Sequence, residues 1–162
     1  MKLLSSSDFS LRRVRESSNG TTPLSEIVVK GVSTGKMVDC AILEAAIGWE
    51  NLILAFMTDD VPFEEVLSIY LFDQACNVID SARLGAIYST GVFSDLALRP
   101  PDTVAFKFIG VITWKLTLLC EPRFVLPFFS NPTGISRPFG FHRRFLVIGK
   151  PPPDDSRTRT KG

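Results

Sequence analysis

The chain has 162 residues, 45% of them hydrophobic and 22% charged, which is the size and make-up of one ordinary soluble domain. A chain this long buries about 68–70% of the surface its unfolded form exposes, so no disulfide framework or structural metal is needed to hold it together. Cys40, Cys76 and Cys120 stand far apart with no CxxC spacing, and His142 is the single histidine, so disulfide scaffolds, zinc ribbons and most catalytic triads fall outside the reading. The net charge of +1 hides a segregation: residues 1–36 carry a balance of +3, residues 37–122 of −8, and residues 123–162 of +6. Such a layout steers charged partners if the fold keeps the segments apart, and it cancels if the basic ends fold back over the acidic middle.

Met1 to Asp8 holds a lysine and two leucines but no apolar h-region, so no secretory signal is read there and a cytoplasmic setting is expected. Residues 5–25 carry few apolar groups beyond Phe9, Leu11, Val14 and Leu24, and residues 1–25 read as a partly mobile N-terminal arm. Residues 26–150 form the expected single β-rich domain. Within it, residues 37–49 are ambiguous. Met37, Ala41, Ala45 and Trp49 follow helical spacing, yet the run could equally be a strand ending at Gly48. Ala41 to Met57 contains Glu44 and Glu50, and Val104 to Cys120 contains Lys107 and Lys115, so neither reads as a membrane span although the mean hydropathy is +0.19.

Glu65 to Phe72 is apolar on both faces, as in a central strand, and Asp73 to Asn77 supplies turn chemistry before a return strand over 78–88. Residues 103–109 alternate Val104, Phe106 and Phe108 against Ala105 and Lys107. Residues 111–119 alternate Trp114, Leu116 and Leu118 against Thr113, Lys115 and Thr117. Gly110 between them is a bend in one long strand or the meeting of two. Phe141 to Ile148 is a last strand, and residues 151–162, opening on three prolines, form a solvated tail. The sum is a mainly β fold: an antiparallel β-sandwich or open barrel of about seven to nine strands with at most one or two short helices, α+β being the alternative.

No phosphate-binding glycine loop, HExxH or EF-hand spacing occurs, so no cofactor, no metal ligand and no catalytic residue is assigned. Two segments carry functional candidates. Thr58 to Glu65 places Asp59, Asp60, Glu64 and Glu65 in a connector, where four like charges in solvent would attract a basic partner, with Phe63 as an apolar anchor. The same residues also suit a solubilising turn or a short helix start.

Arg137-Pro138-Phe139-Gly140-Phe141-His142-Arg143-Arg144 resembles the aromatic and basic strand motif of RNA-recognition domains, whose rings stack on bases. It departs from that motif at Pro138, His142 and Arg144, and the chain lacks the β-α-β-β-α-β order. Phe139, Phe141 and Phe145 are therefore expected in the core with Arg143 on their face. Arg137, His142, Arg143 and Arg144 are held as a secondary surface, and nucleic acid is not the expected partner. The expected function is a non-enzymatic intracellular module that binds a basic protein through its acidic loop. By size, composition and charge layout, immunity or antitoxin proteins that block a toxin are the nearest analogy. A ligand-binding barrel, or an enzyme working with carboxylates alone, is the rival, and a single-stranded nucleic-acid-binding β module is a further alternative.

Overall fold

The computed structural model describes residues 1–18, 21–60, 65–85, 91–110, 112–126 and 132–149. The described residues form strands and no helix, so the mainly β reading holds. Thirteen strands replace the seven to nine expected, two of them only two residues long. They are β1 (Lys2–Leu3), β2 (Phe9–Arg15), β3 (Leu24–Val29), β4 (Val32–Val38), β5 (Ile42–Trp49), β6 (Leu52–Thr58), β7 (Leu67–Phe72), β8 (Val78–Leu84), β9 (Ser94–Arg99), β10 (Thr103–Lys107), β11 (Thr113–Phe124), β12 (Ile135–Ser136) and β13 (His142–Ile148). Three antiparallel sheets result: β1-β5-β6-β7-β8-β12, β13-β11-β10-β9 and β2-β3-β4. No helix among the described residues is long and apolar enough to cross a membrane.

The six-stranded sheet is the middle layer, because alternate residues of its strands feed two separate cores. Ile47, Trp49, Leu54, Phe56, Ile69 and Leu71 face Val104, Phe106, Trp114, Leu116, Phe145 and Val147 of the four-stranded sheet. Ala46, Ala55, Met57 and Phe72 face Phe9, Ile27 and Val38 of the three-stranded one. A sheet covered on both faces needs apolar residues at nearly every position, which accounts for the continuous apolar runs of β6 and β7. It also resolves residues 37–49. Their apolar positions fall in β4 and β5 with the connection between, so the helical spacing was a product of two-sided burial and the helix alternative is set aside.

Residues 1–25, expected as an arm, supply β1, β2 and the start of β3. The reason is Phe9, which is 1% exposed and packs 6.0 Å from the Phe72 ring. One buried ring anchors a segment whose other side chains are mostly polar. The β3–β4 hairpin turns tightly at Lys30 and Gly31, both left-handed with φ of 49° and 76°. After β7, Asp73 Oδ1 accepts from the backbone N–H groups of Ala75 (2.9 Å) and Asn77 (2.8 Å), the turn the sequence indicates.

β10 and β11 are separate antiparallel strands with Phe106 opposite Trp114, and Gly110 between them is left-handed at φ 61°. Trp114 is buried and Lys115 exposed, as their alternation requires. The tail over 151–162 and residues 86–88 of the expected return strand lie outside the described residues.

Candidate functional site

Where β8 and β12, at one edge of the middle sheet, meet β13, at one edge of the four-stranded sheet, the two sheets are joined by a buried charge cluster. Asp80 falls in phase with Ala82 and Leu84, so β8 aims its carboxylate into the sandwich. A carboxylate there must be paired or it costs several kcal/mol. Arg137, directly after β12, brings Nη1 to 3.3 Å of both carboxylate oxygens, and Arg143 Nη1 lies at 3.9 Å.

The backbone N–H groups of Arg144 (2.7 Å) and Phe145 (3.3 Å) also donate to Asp80 Oδ2, so a side chain serves the backbone of edge strand β13. Arg137 Nη2 donates to the Phe145 carbonyl (3.1 Å), and its guanidinium stands 4.3 Å above the Phe145 ring. Arg143 Nη2 donates to the Pro138 carbonyl (3.0 Å). Side-chain exposure is 4% for Asp80, 3% for Arg137 and 8% for Arg143. Burial pushes the Arg137 guanidinium down to about 10, partly countered by Asp80, so it remains charged at neutral pH.

The expected arrangement of residues 137–145 is thus partly inverted. The side chains of Arg137 and Arg143, held as surface candidates, are buried; Phe139 and Phe141, expected in the core, are 71% and 45% exposed. Phe145 alone of the three rings is core. The alternation of β13 keeps Arg143, Phe145 and Val147 on one face, but the strand begins at His142, and the phase does not extend back to the two earlier rings.

Those rings meet the far end of β11, which no sequence motif marks. Between the pairs Leu118–Phe145 and Arg123–Arg143, five steps along β11 stand against two along β13, so β11 bulges outward. Pro122 lies in this bulge, where its missing N–H costs no ladder bond. Beyond it, Phe124 stacks on Phe141 (6.0 Å, 4° between planes) and meets His142 edge-on (6.0 Å), while Phe139 meets Phe141 edge-on (5.4 Å). Phe124 is 62% exposed and Leu126 is exposed as well. A proline interrupting the strand pattern after residue 119 is the signal that could have drawn attention to Arg123 and Phe124. A cavity of about 300 Å³ opens beneath, lined by Arg123, Phe124, Arg137, Arg143, Leu146 and Ile148 among others.

The acidic connector differs from its expectation. Asp59 is buried rather than solvated, with Oδ2 at 3.4 Å from Arg83 Nη2 and Oδ1 without a hydrogen-bond partner. Burial chiefly holds its carboxyl above the usual range, with Asp39 and Glu65 adding to the rise and Arg83 opposing it. Asp60 is exposed and lies 3.9 Å from Arg13 of β2. Glu65 is half-buried and also raised, by burial first and then by Glu44 and Asp60. Phe63 and Glu64 lie outside the described residues.

The basic ends therefore do fold back in part: Arg13 reaches Asp60, and Arg137 and Arg143 reach Asp80. Among the described residues no group of three or more His, Cys, Asp or Glu is placed to hold a metal ion. Burial pushes the Cys40 thiol up to about 11, so it is protonated at neutral pH and acts as a packing residue. No protein-family model, no curated protein and no solved structure matches the chain.

Proposed function

We propose that the protein is a non-enzymatic binding module whose partner is another protein, and that its working surface is the aromatic and basic corner formed by β11, β13 and the segment before β13. The observation that carries this reading is the exposed cluster of Phe124, Phe139 and Phe141, with Phe124 stacked on Phe141 and Phe139 edge-on to it, beside Arg123 and His142. Contiguous exposed apolar surface marks interaction sites, and aromatic rings with arginine are the side chains that dominate binding energies. The charge of the corner suits a partner segment with apolar anchors flanked by carboxylates. The buried Asp80 cluster beneath holds β13 and the sheet edge rigid, which lowers the ordering cost of binding.

A second reading keeps the partner a protein but moves the surface to the acidic edge, as in an immunity-type protein that covers a basic site. Its support is a gathering of carboxylates that adds to the effect of burial in raising two of them: Asp39 and Glu65 beside Asp59, and Glu44 and Asp60 beside Glu65. Arg13 and Arg83 offset part of that charge.

The two readings separate in one experiment. Tagged wild-type protein is recovered from its native cells beside a Phe124→Ser, Phe139→Ser variant and an Asp60→Lys, Glu65→Lys variant. The corner reading expects a species retained by wild type and by the charge-reversed protein but lost from the ring variant. Loss from the charge-reversed protein alone would transfer the function to the acidic edge.

A further inference from the structure

The cavity below the aromatic cluster has two unlike walls. Arg123, Arg137 and Arg143 line one part of it, and Phe124, Val125, Leu146, Val147 and Ile148 the rest. The buried charges do not balance, since among the described residues Asp80 is the single carboxylate paired with the guanidinium groups of Arg137 and Arg143. Arg123 adds a third cation at the rim and makes no ion pair among the described residues. Arg143, more than nine-tenths buried, lines the cavity with its Nε enclosed by the protein, so the other N–H groups of its guanidinium are the ones that can meet a ligand. An excess of positive charge lining a half-apolar cavity of about 300 Å³ has a direct remedy. A planar oxyanion accepts two parallel hydrogen bonds from a guanidinium and neutralises the excess, while its apolar body covers the remaining wall.

We propose that this cavity is a binding site for a small ligand with an oxyanion head, a carboxylate or a phosphate, on a compact apolar body. Arg143 and Arg123 bind the head, Arg137 is held by Asp80 and sets the potential, and Phe124, Leu146 and Ile148 enclose the body. The site is independent of the protein-binding reading: a small ligand fills it in the isolated protein whether or not a partner docks on the rings above.

Isothermal titration of the purified full chain with four probes tests the site: phenyl phosphate, benzoate, inorganic phosphate and benzyl alcohol. The expected result is saturable one-to-one binding of phenyl phosphate or benzoate, the tighter of the two identifying the head group. Inorganic phosphate should bind at least about tenfold more weakly and benzyl alcohol not measurably. Arg123→Gln, at an exposed position, should weaken the preferred probe by about tenfold, the loss of one charge-assisted hydrogen bond. Arg143→Met should abolish binding, with its circular dichroism checked against wild type.

Equal binding of benzyl alcohol would overturn the oxyanion assignment, and equal binding of inorganic phosphate would overturn the two-part ligand. Absence of binding by either aryl anion at millimolar concentration, or unchanged affinity in Arg123→Gln, would remove the site.

Discussion

The acidic edge and the basic corner each bury an aspartate against arginine, and they treat it in opposite ways. Asp80 is enclosed by two nearly buried guanidiniums and accepts from three backbone N–H groups, those of Ser81, Arg144 and Phe145. Asp59 has one arginine, itself half-exposed, an unpartnered oxygen, and carboxylates as its other neighbours. The same residue pair is therefore a structural joint at one site and a strained surplus of negative charge at the other. Burial alone does not decide the role of a charge; the number of donors that accompany it into the interior does. The corner, rigid below and apolar above, is the better platform for a partner.

The largest effect expected from this contrast is at Asp80. Asp80→Ala leaves Arg137 and Arg143 buried without their anion and should cost about 3–5 kcal/mol in denaturant unfolding. A loss no greater than that of Asp59→Ala would erase the distinction between the two sites.

Asp59 should respond with the opposite sign. Its folded-state carboxyl holds its proton to higher pH than in the unfolded chain, so ionising it costs the native state. Its contribution is unfavourable at neutral pH and is relieved as pH falls through the raised value toward the ordinary 3.8. Asp59→Asn should thus raise the thermal midpoint at pH 7, and the advantage should shrink toward pH 3.5. Arg83 loses a partner in that variant, but at a half-exposed position this costs little. A midpoint lowered at pH 7 would mean that the Arg83 pair outweighs burial. Glu26 provides the contrast within one titration: hydrogen bonds from Ser33 first, then Arg12 and the Gly35 N–H hold its carboxyl low, so its stabilisation is lost, not gained, on acidification through that lowered value.

The smallest effect is expected at the rings. Phe124→Ser and Phe139→Ser replace exposed side chains and should each leave unfolding free energy within about ±0.5 kcal/mol. A larger loss would make the cluster a structural cap and remove the argument for its exposure as a binding feature.

The sequence made the strands legible wherever one face of a sheet is solvated or one core dominates. The alternation over 103–109 and 111–119 placed Val104, Phe106, Trp114, Leu116 and Leu118 inside, where they are. Period-two reading weakened in residues 37–49, because a sheet buried on both faces carries apolar residues in both phases. The average composition of the N-terminal segment hides its anchor: one ring, Phe9, decides its packing against many polar neighbours.

At the candidate sites, the residue types were visible and their surroundings were not. Asp80 and Arg137 lie 57 residues apart, and no local pattern joins them. The one local hint was a carboxylate in phase with Ala82 and Leu84, an inward position that demands a cation. Asp59 carried no such hint, since its burial depends on where Arg83 of β8 returns. The exposure of Phe139 and Phe141 follows from the starting point of β13, a boundary that a one-residue shift of strand phase would reverse.

The central claim, that the corner rather than the acidic edge meets a protein partner, is tested most directly by site-specific photo-crosslinking in the native cells. A photoreactive phenylalanine analogue is placed at Phe139 in one protein and at Asp60 in another. The corner account predicts a discrete crosslinked protein from position 139 and none from position 60. A crosslink from position 60 with none from 139 would contradict it.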